Sequence, residues 1–109
     1  MPDYRRQTAF LCTVGEIRRG QLGIAGLQSD RGLFPRVNLL GVLVEKAEDG
    51  VRFDDGTGTI ICRRFDEGVL NADVGDTVLV IGRPREYNGE RYLVLDDILR
   101  RSAVPNRDV

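Results

Sequence analysis

The sequence predicts an all-β domain, a small barrel of five main strands in Greek-key order with a short helical connector between the third and fourth strands. Three observations predict it. Apolar residues recur at period two in successive short runs, the signature of strands buried on one face. Gly41 and Gly82 stand inside the two longest runs, where a glycine marks a bulge or a sharp bend. Tight-turn chemistry separates the runs, as Asp54-Asp55-Gly56-Thr57-Gly58 and as Asn88-Gly89.

Taken in order, residues 8–17 carry Phe10, Cys12 and Val14 at period two and read as a short strand, with Phe10 on the core side. Residues 20–32 hold four glycines and read as a loop, anchored by Ile24 and Leu27. Residues 36–46 form the first long strand, which Gly41 allows to pair in two directions at a barrel corner. Residues 51–65 fold as a hairpin about the Asp-Asp-Gly-Thr-Gly turn. Residues 66–73 lack any period-two pattern and read as the connector, with a helical turn or two. Residues 76–87 are the fourth main strand, with Pro84 arguing for an edge or a bulge. Asn88-Gly89 then turns the chain into the fifth, residues 90–97, because a type I′ turn needs positive φ at both positions. A helical turn over 98–101 and a polar tail over 102–109 complete the chain.

The domain reading is therefore an N-terminal strand and Gly-rich loop over 1–35 packing on the barrel, a barrel core over 36–101, and the tail. An SH3-like barrel also uses five strands, but the long bent first strand and the connector after strand three favour the OB-fold. The expected interior is Val37, Leu39, Val51, Phe53, Ile60, Cys62, Val78 and Val80.

Composition narrows the function. At 109 residues there is room for one core. No apolar run is long enough to span a bilayer, and the first residues lack the apolar stretch of a secretory signal. Cys12 and Cys62 are far apart and histidine is absent, which argues against a structural zinc site and for two reduced core cysteines in an intracellular compartment. The Asp54-Asp55-Gly56 run lacks the ligand spacing of a calcium loop and reads as turn chemistry. No cofactor is expected. With no histidine and no serine–base constellation, the chain is not expected to be an enzyme. Net charge is −1, and Lys46 is the single lysine among sixteen cations. Distribution therefore matters more than the sum.

In the hairpin, Val51, Phe53, Ile60 and Cys62 share one face, leaving Arg52, Arg63 and Phe65 on the other. Arginines beside an exposed aromatic form the kind of surface on which single-stranded nucleic acid stacks. Arg83, Arg85 and Arg91 gather around the later hairpin, and Tyr87 flanks its turn. Arg52 and Arg63 are expected to be cross-strand neighbours, an arrangement that a polyanion or nearby carboxylates would relieve. The competing structural readings are a core or edge position for Phe65, a cross-strand pair of Tyr87 with Tyr92 or Arg91, and a solvated arginine face paired with Glu86 and Glu90.

Val37-Asn-Leu-Leu-Gly41-Val, Asp54-Asp55-Gly-Thr-Gly58, Cys62-Arg-Arg-Phe65 and Gly75-Asp-Thr-Val-Leu-Val-Ile-Gly82-Arg-Pro-Arg-Glu-Tyr87-Asn-Gly together resemble the OB-fold of the middle subunit of replication protein A, with archaeal single-strand-binding relatives as the nearest match. The resemblance covers residues 36–98. It implies base stacking at the end of the third strand and at the start of the loop between strands four and five, positions held here by Phe65 and Tyr87. The eukaryotic subunit's phosphorylated N-terminal tail and winged-helix domain are not expected here, and its long C-terminal helix is expected to be absent or cut to a stub. The strand-binding surface is thus the better-supported inheritance, ahead of trimer assembly. Non-catalytic binding of single-stranded DNA in replication, recombination or repair is the expectation. The partners expected are that strand and, in addition, replication protein A-like subunits or further copies of the chain. A structural OB-fold subunit docked to a larger single-strand-binding protein is the alternative.

Overall fold

A computed structural model describes residues 9–48, 50–64 and 72–100. Its elements run β1 (Phe10–Leu11), α1 (Val14–Arg19), β2 (Gln21–Gly23), β3 (Gly26–Ser29), β4 (Gly32–Phe34), β5 (Val37–Ala47), β6 (Gly50–Asp54), β7 (Thr59–Arg63), β8 (Thr77–Tyr87) and β9 (Glu90–Arg100). Strands β5 to β9 close into a barrel in the order β5-β6-β7-β9-β8, with β8 returning to pair with β5. All these pairings are antiparallel except β7 with β9. This is the OB-fold expected. The connector expected over 66–73 lies largely outside the described residues, as do Phe65 and the tail.

Two long strands make the corners. The first half of β5 pairs with β8, from Val37 opposite Gly82 to Val42 opposite Thr77. Its second half pairs with β6, from Val42 opposite Asp54 to Ala47 opposite Gly50. A Cβ at Gly41 would lie 2.5 Å from the Asp54 carbonyl oxygen and 2.6 Å from Phe53 Cζ. At the other corner, the β8–β9 register slips between Ile81 and Gly82, so that Asp96 bulges out between Leu95 and Asp97. A Cβ at Gly82 would lie 2.3 Å from the Val94 carbonyl oxygen. Beyond Gly82, β8 has left β5 and pairs only with β9, which is why Pro84 is tolerated there. All eight expected interior residues are buried, joined by Leu43, Leu93 and Ile98.

The N-terminal third departs from expectation. Residues 8–17 do not form one strand. Phe10 and Leu11 pair in parallel with Val37 and Asn38, and the chain then enters α1 through a capping box. Thr13 Oγ1 accepts from the Glu16 amide at 3.1 Å, and Glu16 Oε1 accepts from the Thr13 amide at 3.1 Å. Val14 and Ile17 are buried by this helix rather than by a strand face. Phe10 is not a core residue: it is 38 % exposed, its ring stacked on Phe34 at 4.6 Å. Among the described residues, no second layer covers this two-residue strand at the sheet margin. Residues 20–32 are likewise not a loop. β2, β3 and β4 form an antiparallel meander whose cross-strand row Leu22, Leu27 and Phe34 faces the barrel. Residues 98–100 continue β9 instead of starting a helix, because Val80, Leu79 and Val78 offer the ladder partners. Among the described residues no helix is long and apolar enough to cross a membrane.

Both cysteines are free and buried. Burial pushes the Cys62 thiol up to about 12, and burial with the nearby Glu16 charge pushes Cys12 up to about 11, from an ordinary 9.0. The folded protein therefore holds protons that the unfolded chain releases. The associated stability is complete below pH about 9 and is lost as pH rises from about 9 to about 12. The urea midpoint should fall between pH about 8 and about 10.5, and by less in Cys62→Val; a flat midpoint would contradict this burial. Gly82→Ala should independently lower stability by about 1–3 kcal/mol, since the new Cβ meets backbone that cannot move aside. A urea midpoint equal to wild type would show that the corner can relax.

Candidate nucleic-acid interface

Because Val51, Phe53, Ile60, Cys62 and Leu93 point inward, their neighbours must point outward. Strand pairing then assembles one continuous outer face across β6, β7, β9 and β8. Arg52 lies opposite Ile61 and Arg63 opposite Gly50. The two arginines are therefore diagonal rather than directly opposed, a correction to the expected cross-strand pair, and the diagonal spacing eases their repulsion. The parallel β7–β9 pairing sets Ile61 beside Tyr92 and Arg63 beside Val94. On the far side, Arg85 lies opposite Tyr92, Arg83 opposite Val94, and Tyr87 opposite Glu90.

Tyr92 occupies the middle of this face. The Arg63 guanidinium carbon sits 4.8 Å from its ring centroid, within cation–π range. Tyr87 is 67 % exposed, next to a turn with positive φ at Asn88 and Gly89 as expected. Arg52 Nε lies 3.3 Å from Glu45 Oε1 in an exposed ion pair. Arg83 and Arg36 converge on the bulged Asp96, at 3.1 and 3.0 Å. Arg85 donates to the Pro84 carbonyl at 2.9 Å. Such surface pairs are weak, so an incoming phosphate can compete for these cations.

Arg91 is placed differently. Its phase points toward the barrel end, where Nη1 donates to the carbonyls of Ile17 and Gly20, the last at 2.7 Å, while Nε pairs with Glu86 at 3.0 Å. These are the carbonyls that a helix C-terminus leaves without intrahelical donors. The opposite end of α1 is held by the β6–β7 turn. Asp55 Oδ2 accepts from the Val14 amide at 2.9 Å, and Thr57 Oγ1 accepts from the Gly15 amide at 2.8 Å. Asp54 Oδ1 also accepts from the Gly56 amide and Asp55 Oδ1 from the Thr57 amide, so the turn chemistry read in the sequence is present.

Two features were missed by the sequence reading. Tyr92 was weighed only as a partner for Tyr87, although alternation about Leu93 already points it outward. Its position beside Arg63 comes from a parallel pairing that no local pattern announces. The β2–β3 hairpin was hidden by its glycines. It brings Leu22, Gly23 and Ile24 alongside Arg85 and Glu86 at the rim of the face. The arrangement offers an aromatic plane, a second exposed ring and four arginines on one surface, which suits stacking with phosphate contact.

This architecture defines the chain as an OB-fold domain. A chain of a replication protein A heterotrimer bound to single-stranded DNA superposes with a TM-score of 0.73, at 17 % identity, covering 88 % of this chain and 83 % of that one. A chain of yeast replication protein A bound to single-stranded DNA gives 0.71 at 21 % identity, covering 94 % and 83 %. A chain of the Stn1–Ten1 complex of S. pombe gives 0.55 at 18 % identity, covering 90 % and 79 %. In sequence, 66 residues are 38 % identical to an uncharacterized protein of Methanocaldococcus jannaschii, covering 61 % of this chain and 29 % of that protein's length. No family model matches the chain.

Arg91→Ala should lower stability by about 1–3 kcal/mol, because the α1 carbonyls lose their donor. The thermal midpoint reports this; an unchanged midpoint would mean that water replaces the guanidinium without cost.

Proposed function

We propose that this chain binds single-stranded DNA without catalysing a reaction on it, inside the cell, in replication, recombination or repair. The carrying observation is the Arg63–Tyr92 stack at the centre of an outer face that also presents Arg52, Arg83, Arg85 and Tyr87. Bases stack on Tyr92 and Tyr87, and on Phe65, which follows β7 by two residues. Phosphates are held by Arg52, Arg63, Arg83 and Arg85. Arg91 serves the site indirectly by holding α1. The fold likeness to chains of DNA-bound replication protein A supports this reading.

A specific observation also favours a subunit role. Leu40, Leu79 and Leu99 form one cross-strand row on the outer face of β5, β8 and β9, with Val42 beside it. Leu40 and Leu99 are 44 % and 47 % exposed. An apolar row of this kind suits contact with another OB-fold subunit or a second copy.

Fluorescence anisotropy with a labelled oligo-dT tests the first reading. Three or four neutralised phosphates predict a log–log salt slope of about −2 to −3. Tyr92→Ala or Phe65→Ala should weaken binding by about 1–3 kcal/mol with the slope kept. Arg63→Ala should weaken binding and flatten the slope by somewhat under one unit. If both aromatic variants melt early yet bind as wild type in the folded fraction, the rings are packing groups and the subunit reading stands in its place. A sedimentation shift abolished by Leu40→Asp with Leu99→Asp would support assembly through the apolar row. A strict monomer in native extract would exclude it.

A further inference from the structure

The tip of the β2–β3 hairpin carries an isoleucine that touches almost nothing. Ile24 is 101 % exposed, yet the hairpin beneath it is fixed, with Leu27 wholly buried and Leu22 packed against the core. Between this tip and the β8–β9 hairpin lies a notch of about 390 Å³ lined by Leu22, Gly23, Ile24, Arg85 and Glu86. That volume lies within the range of small-molecule sites. One wall is apolar and the other is the edge of β8, from whose two faces Arg85 and Glu86 project in turn. Glu86 Oε1 accepts from Arg91 Nε at 3.0 Å, and a carboxylate has capacity for further donors. Arg85 uses one of its five donors on the Pro84 carbonyl.

We propose that the notch holds one unstacked nucleobase of the bound strand and selects it by its hydrogen-bonding edge. This rests on the binding face described above, with which the notch is continuous through Arg85 and the neighbouring Tyr87. Arg85 takes the phosphate of the selected nucleotide. Leu22 and Ile24 cover one face of its base, as apolar side chains do when they wedge between bases. Glu86 accepts from the base edge. A carboxylate suits the exocyclic amino group of cytosine. Thymine sets two carbonyl oxygens beside its single N–H donor and repels it. The notch therefore prefers cytosine to thymine.

The test compares equal-length fluorescent oligo-dC and oligo-dT by anisotropy, using the full chain. Wild type should favour oligo-dC by about fivefold, the lower end of a good edge contact. Glu86→Gln should bring that ratio to about one, since an amide can donate to thymine oxygens as well as accept from cytosine. Ile24→Ser should weaken binding of both strands severalfold with an unchanged thermal midpoint, because the residue it replaces is fully exposed. The Glu86 variant is compared in its folded fraction, since Glu86 also steadies Arg91. If Tyr92→Ala weakens binding while Ile24→Ser and Glu86→Gln leave affinity and the dC/dT ratio untouched, the face binds DNA and the notch inference falls alone. If wild type binds neither strand, the face reading falls and takes the notch with it.

Discussion

The suspension of α1 between the β6–β7 turn and Arg91 of β9 is the contact on which the rest of the molecule depends. Six residues are too few for a helix to stand alone in water, because nucleation costs more than so short a ladder returns. Here the unpaired amides at one end meet Asp55 and Thr57 of the β6–β7 turn, and the unpaired carbonyls at the other meet Arg91. Val14 and Ile17 can then be driven fully into the barrel. The helix is thus formed by tertiary contacts, and in return it covers an end of the barrel that five strands leave open.

That one placement orients β2, β3 and β4. Leaving α1 at Gly20, the chain turns directly into β2, and the meander lays Leu22, Leu27 and Phe34 against the core. A Cβ at Gly20 would lie 2.8 Å from both the Gln28 carbonyl oxygen and Leu27 Cδ1, so the join leaves no space for a side chain. Arg31 in the β3–β4 turn reaches back to Glu16 through Nε and Nη2, at 3.0 and 3.1 Å. The meander is consequently held at the rim of the arginine-bearing face, where its tip stands beside Arg85. An arginine on β9 thus holds the helix from which the meander departs.

The same residues illustrate how a charge pattern divides in three dimensions. Arg83, Arg85 and Arg91 are close in sequence and read as one basic cluster. Odd positions of β8 past Gly82 face outward, whereas on β9 the residues in phase with Leu93 face inward. Arg91 therefore enters the barrel end and Tyr92 takes the outer position. Adjacent strand residues cannot share a face, and that rule separates a helix-holding arginine from an outward-facing tyrosine one residue away.

The barrel was legible because its determinants are local and repeated. Period-two alternation identified all eight interior residues named from it, the Asn88-Gly89 turn set one hairpin, and Gly41 and Gly82 marked the corners through steric exclusion that any side chain would violate. The Thr13-Val-Gly-Glu16 capping box was equally local and legible, but the alternation around Phe10 masked it. Other features were decided only by tertiary structure. The four glycines of residues 20–32 look like a loop until the barrel supplies a surface on which Leu22 and Leu27 can be buried. Arg91 looks like a surface cation until α1 brings its carbonyls. Tyr92 and Arg63 come together through a parallel pairing of strands separated by the whole of β8. Local sequence specifies which way a side chain points along its own strand; which residue it meets there depends on chain closure over long separations, and only the folded barrel fixes that.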